Sequence, residues 1–321
     1  MATKILIADA LPENTVAELK NLGCEVLVDA SLKEESLLEE MKSSKPEVVV
    51  VRSTKITGEM INSNPDLKLI IRAGAGVNTI DVQEASKQNV RVANCPGKNA
   101  IAVAELAFGL LLCLDRRIPD NVADLRAGKW NKGEYSKASG LCGRTLGIIG
   151  VGNIGKAFVS RAQAFGMDVI AWSRSLTPET AETLKVAFAK TPAEVAEKAD
   201  AVSVHLALTD DTRGMINGEF FGKMKDGAFF INTSRAEVVD EGALIKAIEE
   251  KGIRAGLDVV SGEPAGKTGD IEGALISNPG VYGTHHIGAS TAQAQEAVAD
   301  EVINIVKEFA ADGSVRNCVN P

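Results

Sequence analysis

The sequence predicts a parallel α/β protein of two doubly wound sheets, and three observations support that prediction. Short β-branched runs alternate with amphipathic stretches along the whole chain, the pattern of repeated βαβ units. A glycine fingerprint, Gly150-Val151-Gly152-Asn153-Ile154-Gly155, follows the apolar run 145–149 and opens a helix-like stretch. This is G-x-G-x-x-G in a strand–turn–helix setting, suited to close backbone approach of a pyrophosphate. It lies near the middle of 321 residues, so a body of structure precedes it and the chain has room for two domains.

In the first part, strands are expected at residues 4–8, 25–28, 47–51, 68–71 and 90–93. Helices are expected between them, as at 12–21 and 33–41. The apolar stretch 100–114 is too uniform for a surface helix and is expected to be buried between domains or subunits. A second alternation begins past Gly143, with strands at 145–149, 168–172, 186–188, 201–206, 228–232, 254–258 and 281–282. Its helices are expected at 153–165, 191–198, 219–223 and 240–251. A last helix, 291–311, comes after this sheet is complete, and its natural home is the first domain. The expected architecture is therefore a Rossmann nucleotide domain, 99–288, inserted into a flavodoxin-like substrate-binding domain made of 1–98 and 289–321.

Composition narrows the function. The apolar fraction of 45% and the charged fraction of 24% are those of a globular protein. A net charge of −8 with scattered lysines and arginines argues against nucleic acid as a partner. No apolar run approaches the roughly 20 residues that span a bilayer, and the amino terminus lacks a signal-peptide plan, so no membrane association and a cytoplasmic location are expected. The five cysteines are widely spaced and form no C-x-x-C pair or Cys/His cluster. Buried free thiols and no metal site are the expectation.

Few side chains can do acid–base chemistry. The three histidines are His205, His285 and His286, the last two just past the final strand. Ligands of parallel sheets gather outside the carboxyl ends of strands, where a catalytic group belongs. A histidine there also suits a purely structural loop, but Asp258 and Glu263-Pro264 lie about 20 residues upstream and could orient an imidazole. Arg235 follows the strand-end phrase Ile231-Asn232-Thr233-Ser234. Its guanidinium could clamp a carboxylate through two parallel hydrogen bonds, or pair on the surface with Glu237 or Asp240. In the first domain, Arg72-Ala73-Gly74-Ala75-Gly76-Val77 is a glycine-rich turn whose amides could hold an anion.

Together, Arg235, Glu263-Pro264 and His286 behind a mid-chain GVGNIG resemble the D-isomer-specific 2-hydroxyacid dehydrogenase family. Within it the likeness is nearest to the D-3-phosphoglycerate dehydrogenase branch, over essentially the whole chain. Further phrases that resemble it are Val51-Arg52-Ser53, Arg72 to Asn78, Asn94 to Asn99 with Ala104-Glu105, Gly128-Lys129-Trp130, Asp240 to Leu244 and His286 to Thr291.

The resemblance implies NAD as cofactor, with NADP as the alternative, and a small 2-hydroxyacid/2-oxoacid pair as substrate. His286 would exchange the C2 hydroxyl proton, Glu263 would orient it, and Arg235 would grip the substrate carboxylate. The cofactor would lie along Gly150, Gly152, Asn153, Ile154, Gly155, Ser173, Arg174, His205, Thr209, Thr212, Thr233 and Asp258. Arg52, Arg72, Ala73, Gly74, Ala75, Gly76 and Asn99 would bind substrate, with Lys132 or Lys137 of a twin subunit reaching its phosphate. A homodimer is implied, with 102–114 and 120–130 as the arm.

Two departures matter. A short form is expected, without the carboxy-terminal regulatory domains of many phosphoglycerate dehydrogenases. Ser173-Arg174 stands where a carboxylate would accept the ribose hydroxyls, a pattern more like NADPH-linked glyoxylate and hydroxypyruvate reductases. Arg174 could pair with a 2′-phosphate, stack on adenine, or point to solvent. The favoured reaction is 3-phosphoglycerate to 3-phosphohydroxypyruvate, the first step of serine biosynthesis. The alternatives are a glyoxylate/hydroxypyruvate reductase and, from another class, a dinucleotide-sensing corepressor-like binding protein.

Overall fold

Two parallel sheets organise the chain, as the alternation predicts. The computed structural model describes residues 2–264 and 268–320. It divides into two units, Met1–Asn99 with Ser290–Pro321, and Ala100–Ala289, each boundary one residue along from the expected one.

The first unit holds β1 (Lys4–Ile7), β2 (Glu25–Val28), β3 (Val48–Val51), β4 (Leu69–Arg72) and β5 (Arg91–Asn94). All pairs are parallel and the order is β2-β1-β3-β4-β5. That is the flavodoxin-like order, whose crevice opens between β1 and β3. Alternate residues feed opposite faces, as the pleat requires. Ile5 and Ile7 join a core with Leu19, Val302, Ile305 and Val306. Leu6 joins Leu37, Met41, Met60 and Ile61 on the other face. The final helix, Ala292–Asp312, thus packs on this sheet through Val298, Val302, Val306 and Phe309.

The second unit holds β6 (Thr145–Ile149), β7 (Asp168–Trp172), β8 (Ala187–Phe188), β9 (Ala201–Val204), β10 (Phe229–Asn232), β11 (Arg254–Leu257) and β12 (Val281–Gly283). They run parallel in the order β12-β11-β10-β9-β6-β7-β8. The direction of winding reverses between β6 and β9, the dinucleotide crevice of a Rossmann sheet. Phe158 and Leu111 fill one face, while Phe221, Phe230, Leu244 and Ile248 fill the other.

The apolar helix Ala100–Arg116 packs on the second unit's own sheet. Phe108 meets Phe158 at 5.8 Å, and a Cβ on Gly256 of β11 would lie 3.0 Å from Leu110 Cβ. A glycine in the strand lets this helix lie close. Short helices at Gly58–Ser63, Val82–Lys87 and Pro178–Thr183 had no sequence signal. Each spans under two turns, too few residues to show a period, and each begins on a capping Thr57, Asp81 or Thr177. Of the five free cysteines, Cys24 and Cys95 are buried, but Cys142 is exposed, contrary to the expectation of buried thiols.

Candidate active site

The cofactor and acid–base residues expected in the second unit all follow the carboxyl end of a strand. This placement comes directly from the parallel topology, which sends all strands the same way.

The glycine turn after β6 is fixed by close contacts. Gly150 has φ +101°, and a Cβ there would lie 2.6 Å from the His205 carbonyl oxygen. A Cβ on Gly155 would lie 2.2 Å from Gly150 O, so this glycine lets the helix Asn153–Ala164 start against the strand. Gly152 differs: a Cβ there would meet nothing within 4 Å. Gly152 is the N-cap without a side-chain cap, and Lys156 N–H makes the first helical bond, to Gly152 O. The amides of Asn153, Ile154 and Gly155 are therefore left for an anion at the positive end of a helix dipole.

After β9 and β10 two buried polar atoms lack partners among the described residues, His205 Nδ1 and Thr233 Oγ1. His205 Nε2 lies 3.0 Å from Ser203 Oγ and the ring packs edge-on to Phe158. Burial pushes the imidazole down to about 3, so it stays neutral. Thr209 and Thr212 tie their own loop: Thr212 Oγ1 accepts from Thr209 N–H at 2.8 Å and donates to Ala207 O at 2.7 Å. Ser173 follows β7 without any carboxylate, and Arg174 extends into solvent with Asp211 at 4.0 Å.

The acid–base candidates lie in the segments that follow the adjacent strands β10, β11 and β12. His286 Nδ1 is 2.7 Å from Glu263 Oε2, and Glu263 Oε1 accepts from Val260 N–H at 3.0 Å. The Glu263 hydrogen bond raises the His286 pKa above 6.5 against the effect of burial, helped by the charges of Glu263 and Asp258 and opposed by Arg235. Burial alone would raise the Glu263 carboxyl, but the His286 and Val260 hydrogen bonds and the charges on His286 and Arg235 hold it below 4.5. Arg235 thus acts electrostatically on both members of the pair.

Each member is aimed by its loop. His286 has φ +51°, a left-handed conformation uncommon outside glycine. The buried Asp258 holds it there: Oδ1 accepts from Thr284 Oγ1 (2.6 Å) and Ile287 N–H (2.8 Å), and Oδ2 from Gly288 N–H (2.8 Å). Asp258 therefore braces the histidine loop through Thr284 and two backbone amides, while Glu263 is the carboxylate that meets the imidazole. Arg235 leaves β10 over a buried turn in which Asn232 Oδ1 accepts from Ser234 N–H and Oγ, while Asn232 Nδ2 donates to Arg235 O. No ion pair joins Arg235 to Glu237 or Asp240 among the described residues; Arg235 Nη1 donates to Ser234 O at 2.6 Å. Asn232 and Thr284 escaped sequence reasoning, although an Asn two residues before a Ser signals such a turn.

In the first unit, Arg52 and Arg72 stand at the carboxyl ends of β3 and β4. Asp9, at the end of β1, accepts from the amides of Arg52 (2.7 Å), Ser53 (3.0 Å) and Thr54 (2.9 Å). Sequence reasoning overlooked Asp9, which shapes the Arg52 loop at the switch point. The Arg72 guanidinium folds under its own turn: a Cβ on Gly74 would overlap it. Of the amides expected to bind anions, Ala73 N–H donates to Val51 O and Gly74 N–H to Arg72 O. The expectation for this turn narrows to Ala75 and Gly76, whose amides have no protein acceptor among the described residues. Asn99 is half-buried at the end of this unit. Lys137 is engaged by Glu134 at 2.7 Å.

The second unit is thus a dinucleotide-binding sheet with a carboxylate–imidazole pair and a guanidinium at its ligand edge. Residues 108–288 match the model of the D-isomer specific 2-hydroxyacid dehydrogenase NAD binding domain. The chain is 39% identical over 319 residues to D-3-phosphoglycerate dehydrogenase of Methanocaldococcus jannaschii, covering 99% of this chain and 59% of that protein. It is 43% identical over 266 residues to hydroxypyruvate reductase of Thermotoga maritima, covering 82% and 85%. Cofactor (NAD+)-bound 3-phosphoglycerate dehydrogenase of Entamoeba histolytica superposes with a TM-score of 0.82 at 29% identity, covering 100% of this chain and 99% of that one. The chain spans about three fifths of the M. jannaschii enzyme's length. The chain belongs to the D-isomer specific 2-hydroxyacid dehydrogenases, and its second unit is an NAD-binding domain.

The residues present fit that cofactor. The open side of Gly152 and the free helix-start amides form a polar cradle at the glycine turn, and the orphaned Thr233 hydroxyl lies at the same edge of the sheet, after β10.

Proposed function

We propose that this protein is an NAD-dependent oxidoreductase that interconverts a D-2-hydroxyacid and its 2-oxoacid, with 3-phosphoglycerate and 3-phosphohydroxypyruvate as the pair. The observation that supports it best is the 2.7 Å Glu263–His286 contact, with Arg235 acting on both charges, at the ligand edge of an NAD-binding domain. NAD, when bound, supplies hydride acceptance at the alcohol carbon and hydride donation in reverse.

With Nδ1 engaged by Glu263, the imidazole presents Nε2 to the substrate hydroxyl. In oxidation, neutral His286 takes the C2 hydroxyl proton on Nε2, and the Glu263 carboxylate stabilises the imidazolium formed. In reduction, His286 returns that proton to the alcohol oxygen. Arg235 binds the substrate carboxylate and offsets charge developing on the carbonyl oxygen. We assign substrate contacts in the first unit to Arg52, Arg72, Asn99 and the amides of Ala75 and Gly76. A homodimer is proposed from the apolar stripe on the helix Ile118–Arg126.

The test is a matrix of NADH and NADPH against 3-phosphohydroxypyruvate, hydroxypyruvate and glyoxylate, read as kcat/KM from nicotinamide absorbance. The expected result is NADH-linked turnover of 3-phosphohydroxypyruvate above the others. No absorbance change with any pair would overturn the reading. The likeness to the T. maritima hydroxypyruvate reductase and the absent carboxylate at Ser173 favour a second reading, a hydroxypyruvate reductase. A preference for the unphosphorylated acid, unaltered by Arg52→Ala, would select it.

A further inference from the structure

We propose that Glu241 is a positioning residue for the Glu263–His286 pair, acting through the backbone amide of Ser261. The inference rests on reading that pair as the acid–base couple.

Glu263 lies on an irregular loop beyond β11, with Gly262 next to it at φ +79°. Its hydrogen bond from Val260 N–H closes a local turn, and the Val260 side chain packs against the core of the second unit. Ser261 N–H donates to Glu241 Oε1 at 2.7 Å, across 20 residues. Among the described residues, this is the one hydrogen bond that joins the segment 260–263 to another element, apart from the histidine contact itself. Val260 anchors the start of the segment, and the Glu241 bond fixes the next residue, directly before Gly262 and the carboxylate.

Glu241 is well placed to anchor. It is the first residue of the helix Glu241–Lys251, whose N-cap Asp240 accepts from Ala243 N–H at 3.0 Å. Asp240 N–H donates to Ile216 O, and Leu244 and Ile248 bury the helix against the sheet. A carboxylate at a helix start is ordinarily satisfied by solvent and the dipole. Here it reaches outward to a loop amide instead. The histidine side of the pair is braced by Asp258 and the glutamate side by Glu241, so both partners are held from separate rigid elements. A displacement of about 1 Å in such a pair can cost about a hundredfold in rate.

The test uses Glu241→Gln, Glu241→Asp and Glu241→Ala in the full chain. Glutamine keeps an acceptor at the same reach; aspartate keeps the charge but withdraws the oxygen by one methylene. If Glu241 positions the pair, Glu241→Gln stays near the parent while Glu241→Asp and Glu241→Ala lose about tenfold or more in kcat. KM for NADH should move little in all three. Imidazole resonances of the cofactor-free protein, with His286 assigned by its loss in His286→Asn, give a readout independent of turnover. Glu263, Asp258 and Arg235 are the charged groups acting on that ring and are intact in each variant. The His286 titration should fall towards 6.5 in Glu241→Asp and Glu241→Ala and hold in Glu241→Gln. Loss in Glu241→Gln with retention in Glu241→Asp would overturn the proposal in favour of a charge effect, and so would an unchanged titration in all three. A shifted titration in a protein without dehydrogenase activity would uphold the positioning role and sink the functional reading alone.

Discussion

The carboxylate of Glu263 and the imidazole of His286 meet at 2.7 Å across 23 residues, each delivered by a different strand end of one parallel sheet. The contact settles which histidine of the adjacent pair is held: His286 has the carboxylate partner, while His285 is exposed beside it. Replacing His286 with Asn should lower kcat by roughly 10²–10⁴-fold, the range for a lost general acid–base. Glu263→Gln keeps a hydrogen-bond partner but removes the anion that favours imidazolium, so its loss should be smaller. Steady-state rates in both directions check this; an active His286→Asn enzyme would remove the assignment.

The pair also fixes the sign of the pH dependence. Reduction of the oxoacid needs protonated His286, so its rate should fall as pH rises through a value above the ordinary 6.5. Oxidation needs the neutral ring and should rise through the same value. In Glu263→Gln both inflections should move down, because the stabilising anion is gone. For stability, the raised His286 contributes fully below 6.5 and loses that contribution as pH climbs through its folded value. The lowered Glu263 contributes above 4.5 and loses it as pH falls through its folded value. The side chains are 51% and 33% exposed, so solvent screens the coupling and the stability effect should be small beside the kinetic one. pH–rate profiles and thermal melts across this window test both signs.

The glycines of the fingerprint separate folding from binding. Gly155→Ala puts a methyl 2.2 Å from Gly150 O, a backbone clash that should cost about 1–3 kcal/mol. Gly152→Ala meets open space at φ −81°, so the melting temperature should hold. Its methyl would nevertheless occupy the side left for the pyrophosphate, and KM for NADH should rise. Equal melting losses in both variants would contradict the assignment of Gly152 to the cofactor.

Much of this organisation was legible in the sequence, for reasons that differ by level. Strands such as Thr145–Ile149 and Asp168–Trp172 are buried on both faces, so their apolar runs mark them to the residue. The strand expected over 201–206 stops at Val204; His205 N–H still bonds to Ile149 O at the end of β6, and the chain then turns away at the ligand edge. Residues that donate or accept through atoms common to many side chains left no mark. Asp9 and Glu241 act by accepting from backbone amides distant in sequence, and Thr284 by donating its hydroxyl to the Asp258 carboxylate; only the folded chain brings those together. Arg72 was found as a cation, but its burial under Gly74 was not.

Cofactor choice turns on β7. Arg174 is 86% exposed and its only ion-pair partner among the described residues lies 4.0 Å away, a pairing worth little in water. Ser173 offers no charge to repel a 2′-phosphate. Ser173→Asp should therefore depress kcat/KM for NADPH by tenfold or more, about 1.4 kcal/mol, while leaving NADH use unchanged or improved. Arg174→Ala should affect NADPH alone. A variant Ser173→Asp that uses both cofactors as before would show that the ribose is not read at this strand end.

The helix Ile118–Arg126 has no buried residue, yet Ile118, Val122 and Leu125 recur at i, i+4 and i+7 and are 43%, 38% and 53% exposed. Trp130 follows at 82%. An apolar stripe facing water is costly unless a second surface covers it. The helix is itself well anchored, since Arg117 pairs with Asp120 at 3.0 Å and Tyr135 donates to Asp124 at 2.8 Å. Val122→Glu combined with Leu125→Glu should therefore leave helix content intact while halving the mass seen by sedimentation or light scattering. Because neither residue belongs to the acid–base set, any loss of rate in that monomer would measure what the twin contributes to turnover. A parent protein that already sediments as a monomer at micromolar concentration would end the dimer proposal.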